Sequence, residues 1–438
     1  MHKLGTMSVT ESGSLQIGEV KAEDLVEEYG TPLLVFDEKE LRKNARLYYR
    51  TLAESYPGEF RVFYASKAFA SRTLYRILDQ ENLHVEVVSG GELNRALQAE
   101  FPSRKIFFHG NNKSREELVM GLENEIGGFF VDNYEEAEML EKAAEDLNTQ
   151  TEVMIRLKPG IEAHTHEYIM TGQNDSKFGV GIKDGDARQL IKRLSSSSVL
   201  NLTGLHAHIG SQIYEQEAYL KLVEIMFDFM GEIKRDLGLE FSSLNLGGGL
   251  GIQQNEKNPE VNVEKHLELI SEKVGEEADK RNYQLPEIMV EPGRSIVGTA
   301  GTTLYRVGTI KKVSESKKYI AVDGGMADNI RPALYDAEYS AFLANRADEE
   351  PVETVSVAGK FCESGDILID EIDLPRAERG DILAVPATGA YTYPLANNYN
   401  EACRPAIVIV NQGQARLIER RETYEDLVRR DVIPPEYR

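Results

Sequence analysis

The chain has only two cysteines, Cys362 and Cys403, in 438 residues, so a disulfide framework is excluded. No apolar run approaches the roughly 20 residues that cross a bilayer. The first residues, MHKLGTMSVTESGS, are polar, and no signal peptide is expected there. Basic residues are the minority: 50 Lys and Arg stand against 73 Asp and Glu, a formal net charge of −23. That balance argues against nucleic acid and anionic membrane as main partners. It leaves room for a local basic pocket that takes a small substrate. There is no internal repeat and no low-complexity tract. Together these absences predict a soluble, cytoplasmic protein.

What is present is enough for a real core: 41% of the residues are hydrophobic. From about residue 60 to 295, strand-like and helix-like segments alternate. The candidate strands are RVFYASK (61–67), LHVEVVS (83–89), KIFFHG (105–110), GGFFVD (127–132), EVMIRLK (152–158), LTGLHAHI (202–209), SLNLGG (243–248) and IMVEPG (288–293). Helical patterns lie between them. SREELVMGLEN opens with a capping box, Ser114 and Glu117, and YEEAEMLEKAAEDL puts Ala137, Leu140 and Ala144 on one stripe. Eight such strands with helices between them predict an α/β fold, a (β/α)8 TIM-type barrel. An open doubly wound sheet is the alternative, weakened because no GxGxxG opens the first helix. PLLVFD (32–37) reads as a lead-in strand. The helix after it places Leu41, Ala45, Tyr48 and Leu52 on one face. Beyond about 295, short strands with Gly and Asp turns predict a mostly β C-terminal domain, to which the N-terminal segment (SLQIGEV) would add a strand. The expected domains are 31–296, the barrel, and 1–30 plus 297–438, the β-rich domain.

Reactive groups in such a barrel collect at the C-terminal strand ends. Read in order, those ends carry Lys67, Ser89-Gly90-Gly91, His109-Gly110, Asp132, Arg156, His208-Ile209-Gly210-Ser211, Gly247-Gly248-Gly249 and Glu291-Pro292-Gly293-Arg294. Taken alone, Lys67 reads as a surface lysine just past a strand. The glycines of LNLGGGLGI form either a plain turn or an anion cradle of backbone N–H groups. His206 and His208 share a strand face. A second His-x-His, His164 and His166 in HTHEY, lies in a loop, and without three or four convergent ligands neither pair predicts a metal. A strand-end lysine, a phosphate cradle and a carboxylate, Glu291, match the needs of pyridoxal 5′-phosphate: an amine for its Schiff base, a phosphate site and a partner for the ring nitrogen.

YASKAF, HAHIGSQ, LNLGGGLGI, EPGRSI, DGGMADNIRPALY, CESGDIL and ATGAY, in that order, together resemble the diaminopimelate decarboxylase family, enzymes of the alanine-racemase-like fold (fold type III). HTHEYIMTGQNDSKFG is similar to a loop of that family. The resemblance runs from about residue 30 to 405 and implies a role for each matching residue. Lys67 would bind pyridoxal 5′-phosphate covalently, and His208 would stack on its ring. Ser211, Gly247, Gly248, Gly249 and Tyr391 would hold the phosphate, and Glu291 would pair with the ring nitrogen. Pro292, Gly293 and Arg294 complete the cofactor-binding EPGR segment. Arg294, Arg331, Tyr335, Glu363 and Tyr391 would bind substrate, and Cys362 would protonate the carbanion left after loss of carbon dioxide. The resemblance further implies a homodimer in which Cys362 and Glu363 enter the neighbour's site. Phe69 departs from the wider superfamily, where Asn is common, and is expected to alter the floor of the site.

The implied reaction converts meso-2,6-diaminopimelate to L-lysine and CO2, the last step of lysine biosynthesis. Its nearest rival is a related basic amino acid decarboxylase acting on ornithine or arginine. Those substrates lack the distal carboxylate that a pair of arginines would read. A non-catalytic carrier of the same cofactor would be a single barrel, which the β domain argues against. A metal-dependent barrel hydrolase would hold zinc instead.

Overall fold

The computed structural model describes residues 2–160, 176–314 and 317–438. They form two compact units: residues 42–252 with 259–296, and residues 1–41 with 253–258 and 297–438.

The first unit is a closed barrel of eight parallel strands: Phe60–Ala65, His84–Val87, Ile106–Phe108, Gly128–Val131, Thr151–Lys158, Leu200–Ala207, Ser243–Asn245 and Glu287–Val290. All eight fall where the apolar runs placed them. Closure is made by the last and first strands, which pair in parallel with Met289 opposite Arg61. Helices alternate with the strands. The helix Arg115–Glu123 starts at the expected capping box, in which Ser114 and Glu117 each accept the other's backbone N–H. The stripes Ala45, Tyr48, Leu52 and Ala137, Leu140, Ala144 are buried.

The barrel interior is layered, because alternate residues of a strand point the same way. At its N-terminal end Arg61 pairs with Glu287 at 2.6 Å and Glu152 at 3.2 Å. Phe63, Phe107, Phe130, Met154 and Met289 fill the middle. Two residues further along four of those strands stand His109, Asp132, Arg156 and Glu291, all buried. The apolar plug thus carries a polar layer directly above it.

The second unit is built on a nine-stranded sheet. Its path runs through Ile367–Leu374, Glu353–Ala358, Lys318–Val322, Gly301–Lys312, Leu33–Asp37, Ala406–Asn411 and Gln414–Glu419, with Ile382–Pro386 and Phe342–Leu343 off that path. One expectation changes here. Leu33–Asp37, read as a lead-in strand of the barrel, pairs antiparallel with Gly301–Lys312 and parallel with Ala406–Asn411. All five of its residues are buried, so it needs a neighbour on each edge, and the sheet supplies both. The N-terminal segment belongs to this unit and brings strands of its own. Ser8–Val9, Leu15–Ile17 and Val20–Lys21 make a separate three-stranded sheet, whose Leu15 and Ile17 share a core with Val35, Val408 and Val410. Among the described residues no helix is long and apolar enough to cross a membrane.

Candidate active site

The first barrel strand ends at Ala65, and a 3-10 turn, Ser66–Ala68, follows. That turn lifts Lys67 out of the interior: its side chain is 43% exposed, and Nζ lies 3.8 Å from Oε1 of Glu86, which is 2% exposed. Lys67 is therefore reachable from solvent, in keeping with its place just past a strand. Burial, with the negative Glu291 beside it, pushes Glu86 well above the usual carboxylate range, against the opposing pull of Lys67.

Glu291 stands at the end of the eighth strand and is the hub of the polar layer. Its Oε1 accepts from His109 Nε2 at 2.9 Å and from Asn245 Nδ2 at 2.8 Å, and its Oε2 from His206 Nε2 at 3.2 Å. Burial alone would raise Glu291, but the two imidazoles hold it well below its ordinary value, so it is ionised. Burial in turn keeps both imidazoles neutral, since their values are lowered. The His109 ring stacks on Phe130 with centroids 3.7 Å apart. His109, His206 and Glu291 hold their ligating atoms within 4.8 Å of one another. The donors already spent on Glu291 make this a hydrogen-bonded cluster. Glu86, His109 and Asn245 received no role from the motifs. The signal that finds them is a polar residue on the inner face of an apolar strand.

Beside the hub, the glycine loop follows the seventh strand. Gly247 N–H donates to Asn245 Oδ1 at 2.8 Å, and Glu291 N–H donates to the Gly247 carbonyl at 2.8 Å. Gly247 and Gly249 have φ of +68° and +106°. A Cβ on Gly248 would lie 2.0 Å from the Glu291 carbonyl oxygen, and one on Gly249 would lie 2.1 Å from that of Gly210. Only glycine fits this loop. Gly248 N–H points to His208 Nδ1 at 3.3 Å, which leaves the ring's proton on Nε2. Burial and the Lys67 charge keep His208 neutral. Arg294 Nη2 reaches Ser211 Oγ at 3.3 Å, and the Pro292 carbonyl accepts Ala65 N–H at 3.0 Å. Gly293 lies against Ala65 and Ala68, where a Cβ would sit 3.0 and 3.1 Å from theirs. Lys67, His208, Ser211, Gly247–Gly249 and Glu291–Arg294 are thus gathered at one end of the barrel. Phe69 is buried, and its carbonyl accepts the Tyr64 hydroxyl at 2.7 Å.

The remaining candidates belong to the second unit. Arg331 starts the short helix Arg331–Tyr335. It is buried, its Nε donates to the Tyr339 hydroxyl at 3.1 Å, and its guanidinium lies 5.4 Å from the Tyr335 ring centroid. Tyr339 is a partner that the motifs did not reveal. Cys362 and Glu363 sit on an exposed turn, with Cys362 N–H donating to Asn400 Oδ1 at 3.0 Å. Tyr391 has φ +59°, a conformation uncommon for a bulky residue and often found at functional sites. His164, His166 and most of the HTHEYIMTGQNDSKFG loop lie outside the described residues.

Residues 40–298 match the family described as pyridoxal-dependent decarboxylase, pyridoxal binding domain. Over its whole length the chain is similar to particular members of that class. It is 47% identical to a diaminopimelate decarboxylase of Bacillus subtilis (strain 168), covering 98% of this chain and 97% of the relative. It is 46% identical to one of Bacillus methanolicus, covering 96% and 98%. The crystal structure of diaminopimelate decarboxylase from m. jannaschii in co-complex with L-lysine superposes with a TM-score of 0.92 at 35% identity, covering 99% of each chain. The chain belongs to the diaminopimelate decarboxylase family.

The strand-end residues fit pyridoxal 5′-phosphate. A reachable amine, a glycine loop with no room for a Cβ, and an ionised carboxylate occupy the same barrel end.

Proposed function

We propose that this chain decarboxylates meso-2,6-diaminopimelate at its D-centre, releasing L-lysine and carbon dioxide as the last step of lysine biosynthesis. The observation that carries the reading is the 47% identity to a diaminopimelate decarboxylase across 98% of the chain. Pyridoxal 5′-phosphate supplies an electron sink for the pair left behind when the Cα–carboxylate bond breaks. Lys67 would hold it covalently through its Nζ, which is reachable from solvent. The loop Gly247–Gly249, with Ser211 and Tyr391, would hold the phosphate. Arg294, which touches Ser211, closes that side of the site. His208, whose Nδ1 accepts the Gly248 N–H, would pack against the ring. Glu291, kept ionised by His109, His206 and Asn245, holds a proton on the ring nitrogen.

The protein works in the cytoplasm as a homodimer. The barrel, residues 42–252 with 259–296, binds the cofactor. Residues 1–30 and 297–438 complete the site and the dimer, and Cys362 and Glu363 enter the neighbour's site. There Cys362 delivers a proton to Cα. Arg294, Arg331, Tyr335, Tyr391 and Glu363 grip the distal ammonium and carboxylate, so that only the D-centre presents its carboxylate for loss. An ornithine or arginine decarboxylase is the second reading.

The deciding experiment is a visible spectrum of the purified protein, followed by a panel of meso-diaminopimelate, ornithine, arginine and lysine scored for released carbon dioxide. Cofactor absorption with turnover of diaminopimelate alone is the expected result. Comparable release from ornithine or arginine would favour the second reading.

A further inference from the structure

Asp366 ends the CESGD turn. The four residues before it, Cys362 to Gly365, are exposed, while Asp366 itself is 3% exposed. Its two carboxylate oxygens are used on different stretches of chain. Oδ1 accepts the N–H of Met326 at 2.7 Å, and Oδ2 accepts the N–H of Phe361, the residue before Cys362, at 2.8 Å. Lys360 N–H adds a bond to the Gly324 carbonyl at 3.0 Å. The pocket around the carboxylate is lined by glycine: a Cβ on Gly359 would lie 2.1 Å from Oδ2, and one on Gly325 would lie 2.4 Å from Oδ1.

The Met326 side of this bridge is itself anchored. Gly325 N–H donates to Asp328 Oδ1 at 3.0 Å, and the Tyr305 hydroxyl donates to Asp328 Oδ2 at 2.6 Å. Tyr305 lies in the central strand Gly301–Lys312. A line of hydrogen bonds therefore runs from the sheet through Asp328 and the Gly325–Met326 amides to Asp366, and from there to the residue that precedes Cys362.

We propose that Asp366 is a positioning residue for proton delivery: it straps the exposed Cys362 turn to the anchored Gly324–Asn329 loop and so fixes where the thiol is held. The inference rests on the reading of Cys362 as the proton donor. A buried carboxylate loses hydration, and here two N–H groups from separate stretches compensate it. An exposed turn without that strap samples many conformers, whereas proton transfer needs the donor within hydrogen-bond reach.

The test is a double-mutant cycle on the purified, cofactor-saturated full chain. Asp366→Asn keeps the side-chain volume but replaces one acceptor oxygen by a donor, which opposes one of the two N–H groups. In the wild-type background it should lower kcat roughly 10-fold, with KM and the cofactor spectrum nearly unchanged, and it should enlarge the solvent deuterium isotope effect on kcat. In a Cys362→Ala background it should cost almost nothing further, because there is no thiol left to place. Asp366→Glu, which retains both acceptor oxygens, should recover part of the loss, and it carries the comparison through the same cycle if Asp366→Asn does not fold. Equal losses in both backgrounds, or an unchanged isotope effect, overturn the strap. A Cys362→Ala protein as active as wild type overturns instead the proton-donor role on which the strap depends.

Discussion

His109 Nε2 lies 2.9 Å from Glu291 Oε1, deep in the barrel, with the imidazole stacked flat on Phe130. The carboxylate stays ionised because donors surround it while the donors themselves stay neutral. Glu291→Gln keeps the shape and removes the charge. The variant should still bind the cofactor, since Lys67 and the glycine loop are untouched. Its kcat should fall roughly 10²- to 10⁴-fold, the range for a positioned acid–base group. Single-turnover rates at saturating cofactor check this. A loss confined to KM would remove Glu291 from the chemistry.

Lys67 is the amine expected to hold the cofactor. Borohydride reduction and peptide mapping should place the label on Lys67. Lys67→Ala should abolish covalent attachment while leaving the secondary structure unchanged by circular dichroism. Label on another lysine would sink the assignment.

The shared site has its own test. Lys67→Ala subunits, which lack the covalent amine, and Cys362→Ala subunits, which are slowed by loss of the thiol, should together gain activity over either alone when mixed, because one of the two hybrid sites then holds both residues. The mixing itself is verified with a tag on one subunit. Confirmed heterodimers without that gain would show that each chain builds its own site.

Arg331 has its Nε on the Tyr339 hydroxyl and its guanidinium 5.4 Å from the Tyr335 ring centroid, and a guanidinium fork suits a carboxylate. Arg331→Leu should cost diaminopimelate roughly 2–4 kcal/mol of transition-state binding, about 30- to 1000-fold in kcat/KM. Any residual turnover of ornithine or lysine should fall far less, since neither carries a second carboxylate. The comparison is made at fixed cofactor saturation. Equal losses on both kinds of substrate would make Arg331 a scaffold residue.

Asp328 should leave a signature in stability. Burial pushes it up to about 7, against the hydrogen bonds from Tyr305 and Gly325, with Asp366 and Asp323 adding to the rise. An acid whose native value exceeds its unfolded value makes the native state bind more protons between the two, so stability falls as pH rises from about 4 to about 7. At about 1.4 kcal/mol per unit, the loss is at most on the order of 4 kcal/mol. Asp328→Asn removes the titration. Denaturant midpoints measured from pH 4 to 8 should show the wild type losing stability relative to the variant as pH rises. A constant difference would mean that Asp328 titrates at its ordinary value.

Much of this site is written locally. The eight barrel strands, the lysine just past the first and the glycine run after the seventh follow from apolar runs and turn residues, because a strand's inner face and its end are set by the few residues around them. The same alternation already carries the polar layer, as Phe107-x-His109, Phe130-x-Asp132, Met154-x-Arg156 and Met289-x-Glu291. What it does not carry is who meets whom. His109, His206, Asn245 and Glu291 come from four different strands, and only closure of the barrel in its particular register makes them one cluster. The strand Leu33–Asp37 is equally apolar in either setting, and its partners, more than 260 residues away along the chain, decide where it belongs. Asp366 reads as an ordinary turn aspartate until Met326, forty residues earlier, is brought to its carboxylate. Faces and ends are short-range properties of the backbone. Partners are settled only when distant segments pack, since each such contact depends on every register between them.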